Sequence, residues 1–120
     1  MKIGKTFTFD AAHRLPGKAI YGKCDNLHGH TYILEVTVES DLLRPEGWVM
    51  NFTQLKDIVK VNILDVHDHS FLNDFYPLPT AEIMAMDFAE TIKRKCPDHI
   101  TKVTVKLWET PTSYAYSECE

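Results

Sequence analysis

The sequence predicts an α+β fold: an antiparallel four-stranded sheet with two helices on one face. Three observations lead there. Alternating segments open the chain, two stripes of helical period follow, and another alternating segment comes near the end. The order strand, strand, short strand, helix, helix, strand, short strand groups strands before helices, which favours an antiparallel sheet over parallel crossovers.

Each element has its own signal. In Lys2–His13, Phe7 and Phe9 alternate with Thr6 and Thr8, as a strand with two unlike faces requires. Pro16, Gly17 and Gly22 make residues 15–23 a loop. Residues 30–40 alternate most clearly, with Tyr32, Leu34, Val36 and Val38 against Ile33, Glu35, Thr37 and Glu39. Pro45 and Gly47 mark a turn, and Trp48 to Met50 is expected as a short returning strand. Asn51 caps a helix with Gln54 three residues on, in a capping-box pattern. Leu55, Ile58, Val59 and Ile63 form its apolar stripe. Polar, turn-rich residues 67–79 read as a long loop. Thr80 caps a second helix, Ala85, Phe88, Ala89 and Ile92 are its buried stripe, and Pro97 prevents its continuation. Residues 102–109 form a strand with Val103, Val105, Leu107 and Glu109 on one face, and a short strand around Tyr114 to Tyr116 follows the turn at Pro111.

At 120 residues the chain is expected to form one domain, residues 1–120. Hydrophobic residues make up 44% and charged residues 25%, with a net charge of −4, which argues against disorder and against the basic face of a general nucleic-acid binder. The longest apolar run, Ile83 to Met86, is far below the roughly 20 residues of a membrane helix. Met1 to Asp10 lacks the apolar stretch of a secretion leader, so a cytoplasmic location is expected. In that setting Cys24, Cys96 and Cys119 are read as thiols, not as a disulfide framework.

The chemistry concentrates in the histidines. His28-Gly29-His30 places two imidazoles on the same face of an extended chain. If the first two strands pair as a hairpin, His13 faces both. Three neutral imidazoles suit zinc and leave a fourth position open for catalysis; the other reading is that the HxH pair is incidental. Cys24, four residues before His28, has three readings: a base or nucleophile, a fourth metal ligand, or a passive thiol. Asp68-His69 is either a carboxylate–imidazole relay or a solvated loop pair. Glu109 ends an apolar face, so it either serves a ligand with N–H donors or reaches solvent at the strand end, beside the hydroxyls of Thr110, Thr112 and Ser113. The open edges of a small sheet suggest assembly with further copies of the chain.

Five motifs, in order along nearly the whole chain, resemble the 6-pyruvoyltetrahydropterin synthase family. They are Phe9-Asp10-Ala11-Ala12-His13, the run from Cys24 to His30, Asp68-His69-Ser70-Phe71-Leu72-Asn73, Pro79-Thr80-Ala81-Glu82, and Glu109-Thr110-Pro111-Thr112-Ser113. The resemblance implies a tunnelling fold whose subunits join their sheets into a barrel, with active sites between subunits and a hexamer built as a dimer of trimers. It implies zinc on His13, His28 and His30, Cys24 as general base or proton shuttle, Asp68-His69 as a relay, and Glu109 as the pterin anchor, with Thr110, Thr112 and Ser113 beside it as substrate contacts.

The likeness is to the bacterial and archaeal branch, which implies a carbon–carbon lyase. Its substrate is 7,8-dihydroneopterin triphosphate, and its products are a 6-carboxytetrahydropterin, acetaldehyde and triphosphate, on the route to 7-deazaguanine nucleosides such as queuosine. Two alternatives stand beside it: the pyruvoyl-forming elimination without carbon–carbon cleavage, and a non-catalytic zinc or pterin binder. Two positions depart from the family pattern. Asn51 stands where an acidic residue is expected, and His67 is an additional histidine beside Asp68. Arg14, Lys18 and Lys23 are candidates for the triphosphate.

Overall fold

The computed structural model describes all of residues 1–120. Its strands are β1 (Lys2–His13), β2 (His28–Glu39), β3 (Ser70–Phe71), β4 (Lys102–Thr110) and β5 (Ser113–Cys119). Helix α1 (Phe52–Val59) runs through a π turn (Lys60–Leu64) into the short α2 (Asp65–His67), and α3 (Ala81–Lys95) follows β3.

The sheet corrects the four-stranded antiparallel expectation. It has five strands in the order β3-β1-β2-β4-β5. The four long strands pair antiparallel, but β3 pairs parallel with β1 through Ala11↔Ser70 and Ala12↔Phe71. Two residues carry no readable alternation, so a strand this short sits inside what the sequence shows as a loop. Trp48 to Met50 forms no strand. Val49 and Met50 are buried, and the Val49 carbonyl accepts from the His99 ring instead of from a ladder.

Alternation places the core on one face. Phe9, Tyr32, Leu34, Val36, Val38, Val103, Val105 and Leu107 are all buried there. Against them pack Leu55, Val59 and Ile63 from the first helical run and Met84, Ala85, Phe88, Ala89 and Ile92 from α3. The opposite face carries Thr31, Glu35, Thr37, Thr104 and Lys106, none of them buried.

The caps form as the residue types require. The Thr80 side chain accepts from the Ile83 amide, and the Asn51 side chain accepts from the Thr53 amide. Gln54 makes no reciprocal bond, so the box at Asn51 is half-formed. The π turn follows from spacing. Leu55, Val59, Ile63 and His67 are buried at four-residue intervals. A straight α-helix turns about 100° per residue, so each such step drifts by about 40°. The wider turn takes up an additional residue and keeps the later members, Ile63 and His67, facing the core.

Phe88 lies edge-on to Phe9 at 6.2 Å between ring centroids and to His67 at 4.8 Å. Phe88→Ala is therefore expected to lower stability by about 3–5 kcal/mol, read as a lower urea midpoint with an unchanged slope.

Candidate metal centre

The β1–β2 ladder builds the centre. His13 pairs directly with His28, and Ala11 with His30, so the three rings meet on the core face at one end of the sheet. Ring centroids lie 4.5 Å apart for His13 and His28, 5.1 Å for His13 and His30, and 4.9 Å for His28 and His30. Tyr32, next on the same face, stacks on Phe9 at 4.9 Å and joins the rings to the apolar core. Period two along His28, His30 and Tyr32 is the signal that could have found it.

Backbone carbonyls fix two of the rings. His13 Nδ1 donates to the Pro79 carbonyl at 2.9 Å, and His28 Nδ1 donates to the Asn26 carbonyl at 2.7 Å. A carbonyl only accepts, so both Nδ1 atoms carry the hydrogen and a neutral ring leaves the lone pair on Nε2. Nε2 of His13 and of His30 is buried without a hydrogen-bond partner. Buried ring nitrogens without partners, brought this close together, fit a cation.

The fourth donor that reaches this point is Glu109. One ring nitrogen on each of His13, His28 and His30 and one carboxylate oxygen of Glu109 all fall within 4.8 Å of one another. The Glu109 Oε1 atom lies 2.9 Å from His30 Nε2 and 3.6 Å from His13 Nε2. The electrostatics follow from this packing. Burial lowers the His30 pKa, with the Glu109 charge working against it. At His13 burial is the largest effect and lowers the pKa, but Glu109 and the Pro79 carbonyl together outweigh it and leave the ring above its ordinary value. The neighbouring His13 holds the Glu109 carboxyl below the usual carboxylate range.

Cys24 is not in this donor set. It is exposed, in the helical turns of Ala19–Asp25, and its carbonyl accepts from the Leu15 amide at 2.7 Å. Within one chain it is Glu109, not Cys24, that stands beside the three rings. Thr110, Thr112 and Ser113 follow Glu109 around the β4–β5 turn, with Thr112 and Ser113 exposed. Arg14 is engaged with Asp25 at 2.6 Å and with the Asn73 side chain through its backbone, so it closes the loop before β2. Lys18 and Lys23 are exposed and form no ion pair.

Asp68 and His69 form a separate cluster with Asp10. His69 Nδ1 lies 3.1 Å from Asp68 Oδ2, the His69 amide donates to the Asp10 carbonyl, and the Asp10 amide donates to Asp68 Oδ1. That amide is the main reason the Asp68 carboxyl sits below its ordinary pKa. His69 has φ 59, the one non-glycine residue with positive φ, and its side chain is 79% exposed. Asp10 anchors the pair, a role that no residue-type pattern signals. His67 does not compete for Asp68: it is buried, with Nδ1 on the Ile63 carbonyl and Nε2 on the Tyr76 hydroxyl. A cavity of about 930 Å³ lies elsewhere, lined by Arg44, Trp48, Asn51, Asp57, Asp98 and His99, and contains no such convergence of donors.

Known proteins resemble this chain along nearly its whole length. The family described as 6-pyruvoyl tetrahydropterin synthase matches residues 2–120. A Haemophilus influenzae protein named 6-carboxy-5,6,7,8-tetrahydropterin synthase is 38% identical, covering 94% of this chain and 95% of its own. One of the same name from Aquifex aeolicus is 35% identical over 95% of each. The solved structure of 6-pyruvoyl tetrahydropterin synthase from Caenorhabditis elegans superposes with a TM-score of 0.85 at 27% identity, covering 100% of this chain and 96% of that one.

The cysteines should differ in reactivity. Burial pushes the Cys96 thiol up to about 11, while Cys24 is exposed. Alkylation near pH 8, followed by peptide mass spectrometry, is expected to label Cys24 well before Cys96. Because the folded state holds the Cys96 proton more tightly than the unfolded chain, its contribution to stability is complete below pH 9.0 and is lost as pH rises towards about 11. Denaturant melts across that window check the loss, with Cys96→Ser as the control that removes it.

Proposed function

The chain belongs to the 6-pyruvoyl tetrahydropterin synthase family, and we propose that it is the zinc-dependent lyase of the carboxy-forming branch. The reaction consumes 7,8-dihydroneopterin triphosphate and one water, and yields 6-carboxy-5,6,7,8-tetrahydropterin, acetaldehyde and triphosphate, on a route to 7-deazaguanine nucleosides such as queuosine. The near-full-length identity to relatives named for that product carries the choice of branch.

His13, His28 and His30 would hold the zinc, with two of the rings oriented by carbonyls. When bound, the ion supplies Lewis acidity to the side-chain oxygens of the substrate. The residues do the rest. Glu109 accepts from the 2-amino and N3 hydrogens of the pterin ring, with Thr110, Thr112 and Ser113 alongside it. Cys24 takes or returns a proton from the reacting side chain. Asp68 faces His69 Nδ1, which places the hydrogen there and leaves Nε2 to accept or deliver a proton on the other side.

In one chain Asp68 and His69 stand apart from the imidazole trio. A neighbouring copy would supply them, in an assembly that joins sheet edges into a barrel, with a hexamer of paired trimers as the proposed stoichiometry. Two features support such joining. The outer edge of β5 has no partner, and β3 covers only Ala11 and Ala12 of the β1 edge.

Incubation of the zinc-loaded protein with the triphosphate substrate is expected to release acetaldehyde together with the 6-carboxy product. A pyruvoyl product without acetaldehyde would instead establish the elimination reaction, and no turnover would leave only a binding module. Cys24→Ala is expected to reduce turnover about 10²- to 10⁴-fold while zinc content, measured by elemental analysis, stays the same. Activity that survives this change removes Cys24 from the mechanism.

A further inference from the structure

We infer that Glu109 is a displaceable fourth ligand of the metal, closing the coordination shell in the absence of substrate and leaving it when a pterin ring binds. The inference rests on the zinc-dependent reading above and adds to it how the site opens.

Lone pairs carry the argument. His13 Nε2 and His30 Nε2 are buried and have no hydrogen-bond partner, yet Glu109 Oε1 faces them at 3.6 and 2.9 Å. Because His13 Nδ1 donates to the Pro79 carbonyl, a neutral His13 turns a lone pair towards this carboxylate, a repulsive contact that a proton or a metal ion between them relieves. Donors about 2.0–2.2 Å from a tetrahedral zinc stand about 3.4 Å apart, and the two observed separations bracket that value. Only the imidazole cluster holds the Glu109 carboxylate, through His13 and His30. A half-buried carboxylate with no other partner is costly, and a shared cation removes that cost.

The backbone beneath Glu109 is suited to release. The β4–β5 register shifts between Trp108 and Thr110, so Glu109 is skipped by that ladder. On the other side, pairing with β2 ends at Trp108 opposite Ile33. A bulge of this kind re-aims one side chain without disturbing the rest of the strand. The side chain is 31% exposed, so it borders both the imidazoles and solvent. A carboxylate that accepts the two adjacent ring hydrogens of a pterin uses both oxygens and cannot keep hold of the ion. Ring recognition therefore frees a coordination position for an oxygen of the substrate side chain. Compounds that offer hydroxyls without the ring would leave the shell closed.

Cobalt(II) in place of zinc makes the shell visible by absorption. Unsubstituted pterin, which has the ring hydrogens but neither side-chain hydroxyls nor phosphates, is the probe. The wild-type cobalt spectrum is expected to change on adding pterin. Glu109→Gln is expected to start from a different spectrum, to show no comparable change, and to bind cobalt at least about 10-fold more weakly, the lower end of what loss of even an outer partner costs. Glu109→Ala is the second variant should the amide fold poorly, and metal-free thermal melts establish that each variant is folded. A cobalt affinity and spectrum shared by wild type and both variants overturns the inference, and so does a wild-type spectrum that pterin leaves unmoved. The lyase reading is tested apart from it. Acetaldehyde release with unaltered cobalt affinity in Glu109→Gln overturns only the ligand role, whereas a Glu109-dependent spectrum without acetaldehyde overturns only the lyase.

Discussion

The pairing of His13 with His28 is the constraint on which the rest depends. A two-stranded ladder fixes side-chain position to within the spacing of its hydrogen bonds, and a slip of one residue would turn one set of rings to the opposite face. The register is in turn held by burial. Phe9, Tyr32, Leu34, Val36 and Val38 share the face with the rings and are all buried, so slippage would expose the sheet's apolar side to water. The same alternation that makes the core thus aims the imidazoles, and the candidate metal centre is the polar end of one continuous face.

Two carbonyls finish what the register begins. Pro79 immediately precedes the Thr80 cap of α3, so the start of that helix sets the tautomer and tilt of His13. Asn26, two residues before His28, does the same for its own ring from the preceding loop. Both interactions orient a donor through the nitrogen that does not bind, which sharpens direction as well as basicity. Arg14 adds a clasp across the loop between the strands through Asp25.

Much of this was legible from side-chain types. Strand β1 has the bounds that alternation gives it, and β2 starts two residues earlier than expected because His28 and Gly29 extend the ladder. Glu109 was legible as the polar end of an apolar face, and the structure places it among the imidazoles. What stayed hidden depends on backbone and on contacts distant in sequence. The Pro79 carbonyl, the Asp10 anchor of Asp68 and the parallel pairing of β3 leave no residue-type signature. The π turn is written only in a four-residue spacing, which reads equally well as an ordinary helical stripe.

His67 and His13 show why residue type alone does not decide function. Both are buried histidines whose Nδ1 meets a backbone carbonyl. At His67 the second nitrogen lies 3.0 Å from the Tyr76 hydroxyl, which also reaches Asp87, so its neighbour is a polar group of the chain itself. At His13 the second nitrogen has no hydrogen-bond partner. A fold does not retain a buried acceptor facing a carboxylate for stability, since an apolar residue of similar shape would cost less. The unsatisfied atom therefore distinguishes His13 as the ring with a nitrogen left to offer a ligand.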